Sequence, residues 1–213
     1  MQLVVIAQEP RPETMDGRLS PPWTLAQAAA VRLAALADTL ETVAATPASR
    51  RVLALDGQPG SWVPAGLDVV APRRGTLGNV LFGAFEDCFH VSDEAVVLIG
   101  MDTPQLTSDH LLTARMLLET SADAVVGSTP SGGTWMIGLS HLHPGAFAGT
   151  PASSDDTAEA QIERLRGCGY QVADIEQLRD LGDAEDAVAL ADQLAGTRLA
   201  AAVQAAVRDA RRR

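Results

Sequence analysis

The 213-residue sequence contains no lysine; its 16 basic side chains are all arginines, set against 27 aspartates and glutamates. The net charge of −11 repels phosphate backbones and argues against nucleic acid as a bulk partner. It leaves room for a small nucleotide held at one local site. Cysteine is nearly absent: Cys88 and Cys168 are the only two, far apart and without metal-ligand spacing, so both are expected as buried free thiols. No apolar stretch approaches the length that crosses a bilayer, and the opening MQLVVIAQEP has no basic n-region of a signal peptide. These absences together lead to the expectation of a reduced, cytoplasmic protein without membrane partners.

What is present is an ordinary globular balance, 46% hydrophobic and 20% charged, in a length that suits one domain with a sizeable core. LVVIA (3–7), RVLALDG (51–57), LDVVAP (67–72), AVVLIG (95–100), ADAVVGS (122–128) and TWMIGLS (134–140) read as strands, short and rich in β-branched residues. Helical spacing separates them. Thr24 and Gln27 form a capping box ahead of Leu25, Ala29, Leu33, Leu36, Leu40 and Val43, one apolar face reaching about residue 45. Further helices are expected through Phe82, Phe85 and Phe89, from Thr107 or Ser108 through Leu118, and from about Ser154 to Arg166. CGYQVADI gives a last short strand, and the Ala-rich remainder from Asp183 to Arg213 is helical by propensity. Such alternation predicts a mostly parallel sheet with helices on both faces. The organisation expected is one α/β domain over 1–195 and a helical extension over 196–213.

In open α/β sheets ligands sit outside the carboxyl ends of the strands. The most apolar strand ends in VVLIGMDTPQLT (96–107), which puts Asp102 at such an end beside Gly100, where backbone can approach a ligand closely. An oxygen donor there suits Mg²⁺ or Mn²⁺ together with nucleotide phosphates; the alternative is an Asp that merely caps its own turn. Other signals are thinner. His141 and His143 share a side of an extended segment but lack a third ligand, no Gly-x-Ser-x-Gly elbow surrounds Ser131 or Ser153, and RRGTLG has too few glycines for a dinucleotide fingerprint or P-loop. Trp135 reads as core or as the floor of a pocket. The terminal VRDARRR reads as a solvated helix end, or as a contact to an acidic partner or second subunit.

Taken in order, DTLETV (38–43), RRGTLGNVLFGAF (73–85), LIGMDTPQLT (98–107), VVGSTPSGGTWMIGL (125–139) and LRDLGDAEDAVAL (178–190) resemble the DUF2064 family. That family is related to the phospholactate guanylyltransferases and built on the nucleotide-diphospho-sugar transferase (GT-A) fold. The resemblance covers most of 1–195 and implies a GT-A-like, Rossmann-like three-layer α/β/α domain around a mostly parallel mixed sheet. It implies a nucleotide-binding first half and an acceptor pocket in the second. Asp102 corresponds to the family's catalytic metal-binding acid for Mg²⁺ or Mn²⁺; apart from the resemblance, Asp155 or Asp156 is a candidate for a second metal oxygen. Arg18 matches the arginine of the family's N-terminal loop, with Arg11, Arg74 and Gly75 as further phosphate contacts; Ser131, Gly132, Gly133 and Trp135 would shape the acceptor pocket. Departures are visible: Gln8, Thr14 and Asp16 replace basic residues, SGGT replaces Asp-Gly-Gly-Tyr, Ala152 replaces an aromatic residue, and an acid is displaced at Gly182. Two functions follow. One is a metal-dependent transferase, a glycosyltransferase using an NDP-sugar or a nucleotidyltransferase, acting on a small-molecule acceptor and able to form a homodimer. The other is a catalytically degenerate GT-A protein serving as a binding or regulatory subunit.

Overall fold

In the computed structural model, which describes residues 1–15, 17–150 and 157–210, the expected alternation becomes a seven-stranded sheet. Its strands are β1 (Gln2–Gln8), β2 (Arg50–Asp56), β3 (Asp68–Val70), β4 (Val96–Ile99), β5 (Ala124–Ser128), β6 (Thr134–Leu139) and β7 (Val172–Ile175). Between and after them lie α1 (Leu25–Ala45), α2 (Leu77–Phe89), α3 (Ser108–Thr120), α4 (Thr157–Gly167), α5 (Ala184–Gln193) and α6 (Arg198–Ala210). The strand order is β3-β2-β1-β4-β6-β5-β7. All neighbours pair parallel except those of β6, which runs antiparallel to both β4 and β5. The sheet is therefore mixed and mostly parallel, with one reversed strand inserted beside its centre.

Strand alternation divides the core into two layers, because successive side chains leave opposite faces of the sheet. Leu3, Val5, Val97 and Ile99 face α1 and α3, where they meet Leu36, Leu40, Leu111 and Leu118. Val4, Val96 and Leu98 face the other way onto Leu81 and Phe85 of α2 and Leu165 of α4. Phe85 is fully buried and stacks on Phe147 at 5.2 Å between ring centroids. The three-layer α/β/α arrangement is thus set by period-two strands buried on both faces.

The single apolar face expected of α1 is an underestimate. Ala28, Val31 and Ala35 form a second buried face, packed against Leu190 of α5 and Leu199 and Val203 of α6. The small alanines let α6 approach α1 closely, so α1 lies between the sheet and the C-terminal helix pair. Leu25, counted on the apolar face, is instead 44% exposed. The expected run of helix from Asp183 divides at Gly196, which adopts φ +88°, a left-handed conformation that breaks a helix and favours glycine. Asp183 caps α5, accepting hydrogen bonds from the backbone N–H groups of Glu185 and Asp186 at 2.8 and 2.9 Å. β3 is shorter than expected and exposed throughout, as befits a sheet edge.

Candidate functional site

β4 carries the chain to the carboxyl edge of the sheet, and the backbone beyond it is fastened twice. Gly100 N–H donates to the Trp135 carbonyl at 2.9 Å, and the Asp102 carbonyl accepts from Leu181 N–H at 2.7 Å. The second bond brings the segment ahead of α5 across the strand end, and with it Asp180. Asp102 and Asp180 line one cavity of about 140 Å³, together with Gly133 and Trp135. Because β6 is reversed, its beginning meets the end of β4. The turn from Thr129 to Gly133 consequently stands over the same edge.

Asp102 is held by a residue that the sequence reading left unassigned. Arg32 of α1 donates from Nη1 to Asp102 Oδ1 at 2.8 Å, with only 10% of the Arg32 side chain exposed. The Asp102 carboxylate keeps 40% of its surface open to the cleft, while protein crowds it from the remaining directions. That crowding pushes its pKa above the ordinary carboxylate value, outweighing the opposing pull of Arg32. The charge of Asp180 adds to the rise, and Arg18 acts against it. Arg18, itself exposed, is therefore electrostatically coupled to Asp102.

Ser131 approaches the other acid. Its hydroxyl lies 3.2 Å from each Asp180 carboxylate oxygen and 2.7 Å from Thr129 Oγ1. Gly132 turns the chain with φ +87°, and its carbonyl accepts from Ala158 N–H at the start of α4. Gly133 N–H donates to Thr129 Oγ1 at 3.0 Å. Two neighbouring hydroxyls, those of Thr103 and Thr134, are buried with no hydrogen-bond partner among the described residues. Both residues line the Asp102 cavity. A buried hydroxyl without a partner costs free energy, which a ligand oxygen or nitrogen in the cavity would recover.

Beside this polar cavity opens a larger one of about 320 Å³. Ile6, Leu77, Leu81, Leu98 and Ile137 give it an apolar wall, and among the described residues Asp102 is its one charged lining residue. Trp135 borders both cavities, yet it is 2% exposed and its ring belongs to the core. The indole stands edge-on to His110 at 5.9 Å and donates from Nε1 to the Glu176 carbonyl at 3.1 Å.

The remaining expected residues lie further out. Arg11 is directed to Glu9 at 3.6 Å, and Glu9 also accepts from Gln58 N–H at 2.8 Å; this acid of the loop is turned toward the β2 end. Arg74 and Gly75 are exposed on the turn before α2 and line neither cavity. His141 stacks on Tyr170 at 4.7 Å, whereas His143 Nδ1 accepts from Gly145 N–H, so the two imidazoles serve separate local contacts. Cys88 is buried and Cys168 half-buried, both as free thiols; burial pushes the Cys88 thiol up. Asp155, Asp156, Asp16, Ala152, Ser153 and the final arginines lie outside the described residues.

A family model described as an uncharacterized protein conserved in bacteria, DUF2064, matches residues 28–154, well over half of the chain. The chain belongs to the DUF2064 family. No curated protein sequence matches it. Among solved structures, this DUF2064 chain is similar to a protein of Desulfovibrio desulfuricans G20 provisionally named a nucleotide-diphospho-sugar transferase. The TM-score is 0.87 and the identity 19%, over 99% of this chain and 96% of that one. It is also similar to a CMP:2-keto-3-deoxy-manno-octonic acid synthetase complexed with CTP, with TM-score 0.53, identity 11%, and coverage of 90% and 98%. The bifunctional IspDF of Campylobacter jejuni matches at TM-score 0.54 and 13% identity, over 87% of this chain and 52% of its own. At such identities the likeness establishes the GT-A-like fold of this DUF2064 member and nothing finer.

The divalent ion implied by that fold can be weighed against the side chains present. Asp102, Asp180 and the two unpartnered hydroxyls are hard oxygen donors of the kind Mg²⁺ accepts. Their charge environment does not fit it. One oxygen of Asp102 already carries a buried guanidinium, and like charges sharing one carboxylate repel by several kcal/mol even when screened. Among the described residues, no group of three or more His, Cys, Asp or Glu side chains could hold a metal.

Proposed function

We propose that this DUF2064 protein is a transferase of the nucleotidyl or nucleotide-diphospho-sugar kind, taking nucleotide phosphates at the carboxyl edge of its sheet. The observation that carries this reading is Asp102 in the lining of a cleft, ion-paired to Arg32 and electrostatically coupled to Arg18. The cleft lies where open α/β sheets bind ligands. Arg32 and Arg18 supply the positive charge for phosphates, and guanidinium forks suit phosphate oxygens. The hydroxyls of Thr103 and Thr134 orient the bound molecule by hydrogen bonds. The apolar cavity beside them takes its uncharged part, since among the described residues Asp102 is the only charge on that wall and repels an anion.

A second reading rests on Arg11. Its engagement by Glu9 leaves the loop over the cleft with less positive charge to offer, which favours a protein that binds a nucleotide without turning it over. Calorimetry with a panel of nucleoside triphosphates and NDP-sugars tests both. Binding that weakens at least about tenfold, or 1.4 kcal/mol, in Arg18→Ala supports the site. Turnover of a bound donor with an acceptor supports the transferase, and binding without turnover supports the alternative. No binding at millimolar concentration sinks both.

A further inference from the structure

We propose that the acceptor of this transferase is an amphiphile, an aliphatic alcohol whose hydrocarbon body fills the larger cavity and whose hydroxyl meets Asp102. The inference rests on the reading of the cleft as a transferase site, and it names the class of acceptor that site takes. Cavities of about 320 Å³ are the usual seats of small ligands, and this one opens inside a core layer. Along β1 every residue from Leu3 to Ala7 is buried except Ile6, which lines the cavity. Leu77, at the start of α2, lines it too and is likewise only half-buried. Leu81, Leu98 and Ile137 belong to the buried layer under α2. The cavity is thus a gap in that layer, and a hydrocarbon group completes it.

The polar groups of the wall favour a hydrocarbon over a nucleobase. The Thr150 hydroxyl lies 2.9 Å from the Phe147 carbonyl and 3.3 Å from Gln161 Oε1, and the Gln161 amide donates to the Ala146 carbonyl at 2.7 Å. Both side chains are therefore spent on the protein. The backbone of β4 and β6, behind Leu98, Met136 and Ile137, is spent on the pairing of those strands. A base seated against this wall buries ring nitrogens and exocyclic groups without partners, a cost that a hydrocarbon avoids. Of the other polar side chains, Gln8 is exposed at the end of β1. Asp102 and Thr134 line both this cavity and the polar one, so the two spaces meet there. The Asp102 carboxylate, 40% open, suits a hydroxyl that donates to it and repels an anionic head. Met101 and Met136, on the same walls, adapt to hydrocarbon of varied shape.

The test titrates the full chain with 1-butanol, 1-hexanol and 1-octanol, followed by tryptophan fluorescence and calorimetry. Each added methylene is expected to tighten binding about threefold to fourfold until the cavity is full. Hexane-1,6-diol and hexanoate are each expected to bind at least about tenfold more weakly than 1-hexanol. The first buries a hydroxyl among hydrocarbon, and the second sets an anion against Asp102. Ile6→Phe, which fills the gap, is expected to weaken 1-hexanol by at least about tenfold. Cytidine and guanosine are expected not to displace the alcohol. An affinity that does not change with chain length overturns the proposal, as does a diol or a hexanoate that binds as tightly as 1-hexanol. So does a nucleoside that displaces the alcohol, or an Ile6→Phe variant that folds and binds it undiminished. If Ile6→Phe fails to fold, the chain-length series, the diol and the nucleoside competition decide on the wild type. Nucleoside triphosphates and NDP-sugars are titrated separately. If none binds, the proposed function fails, while the alcohol titrations still decide whether the cavity takes a hydrocarbon.

Discussion

Asp102 and Arg32 are 70 residues apart in the chain and 2.8 Å apart in space, and only the first of them announces itself in the sequence. An acid just past a buried strand is a recognisable pattern. Arg32 sits in an Ala-rich helix among apolar residues, and no local rule says which way it points. One signal was available: it is the only basic residue between Leu25 and Ala45, an odd placement for a helix buried on two faces. Its partner could not be read, because the contact depends on how α1 crosses the end of β4. Burial raises the Asp102 pKa, and the sign of its effect on stability follows. The native state keeps this proton to higher pH than the unfolded chain does. Stability therefore falls as pH rises from about 4 through the raised native value, and then levels off. The unfolding free energy of the wild type relative to Asp102→Asn, measured by urea titration over that range, is expected to decline with pH. A difference that grows with pH would show that Arg32, rather than burial, governs the group.

Most elements were legible, and their limits show which forces were not. The buried strands and capped helices fall close to the expected positions, since period and capping are local properties. β3 proved only three residues long because an edge strand has one neighbour and no covering layer. The pairing of β6 between β4 and β5 had no local signature at all. It nevertheless determines the site, as it sets the Ser131 turn opposite Asp102. The fit between β5 and β6 depends on Gly127. A Cβ there would lie 2.4 Å from the Trp135 ring, in a core where neither can move aside. Gly127→Ala is expected to lose about 1–3 kcal/mol by overpacking, read as a lower urea midpoint with an altered tryptophan signal. A variant as stable as the wild type would mean that the indole is not pinned against β5.

Taken as a whole, the molecule joins its C-terminal helices to its cleft through α1. The Ala-rich tail was readable as helix, but its partner was not, since alanine signals close packing without saying against what. Leu199 is fully buried against α1, and its N–H donates to Asp38 Oδ2 at 2.9 Å. Leu199→Ala is expected to cost about 2–5 kcal/mol, measured by chemical unfolding. Arg198→Ala is expected to cost at most about 1 kcal/mol, because the Arg198 side chain is 53% exposed in its pairs with Asp38 and Glu41. Equal losses from the two substitutions would mean that α6 is held by surface charge and not by its apolar face.

The reversed strand has one more implication, for redesign. In a wholly parallel sheet, every loop at the carboxyl edge leads directly into a covering helix, so recasting a loop disturbs a layer. Here the Thr129–Gly133 turn is a hairpin between two strands paired regularly from Ala124 to Gly127, with a register shift at Ser128. An exchange that keeps the bond from Ala158 N–H to the Gly132 carbonyl is expected to leave the sheet in register. The molecule thus carries a replaceable cartridge facing Asp180, through which ligand preference could be altered without rebuilding the scaffold.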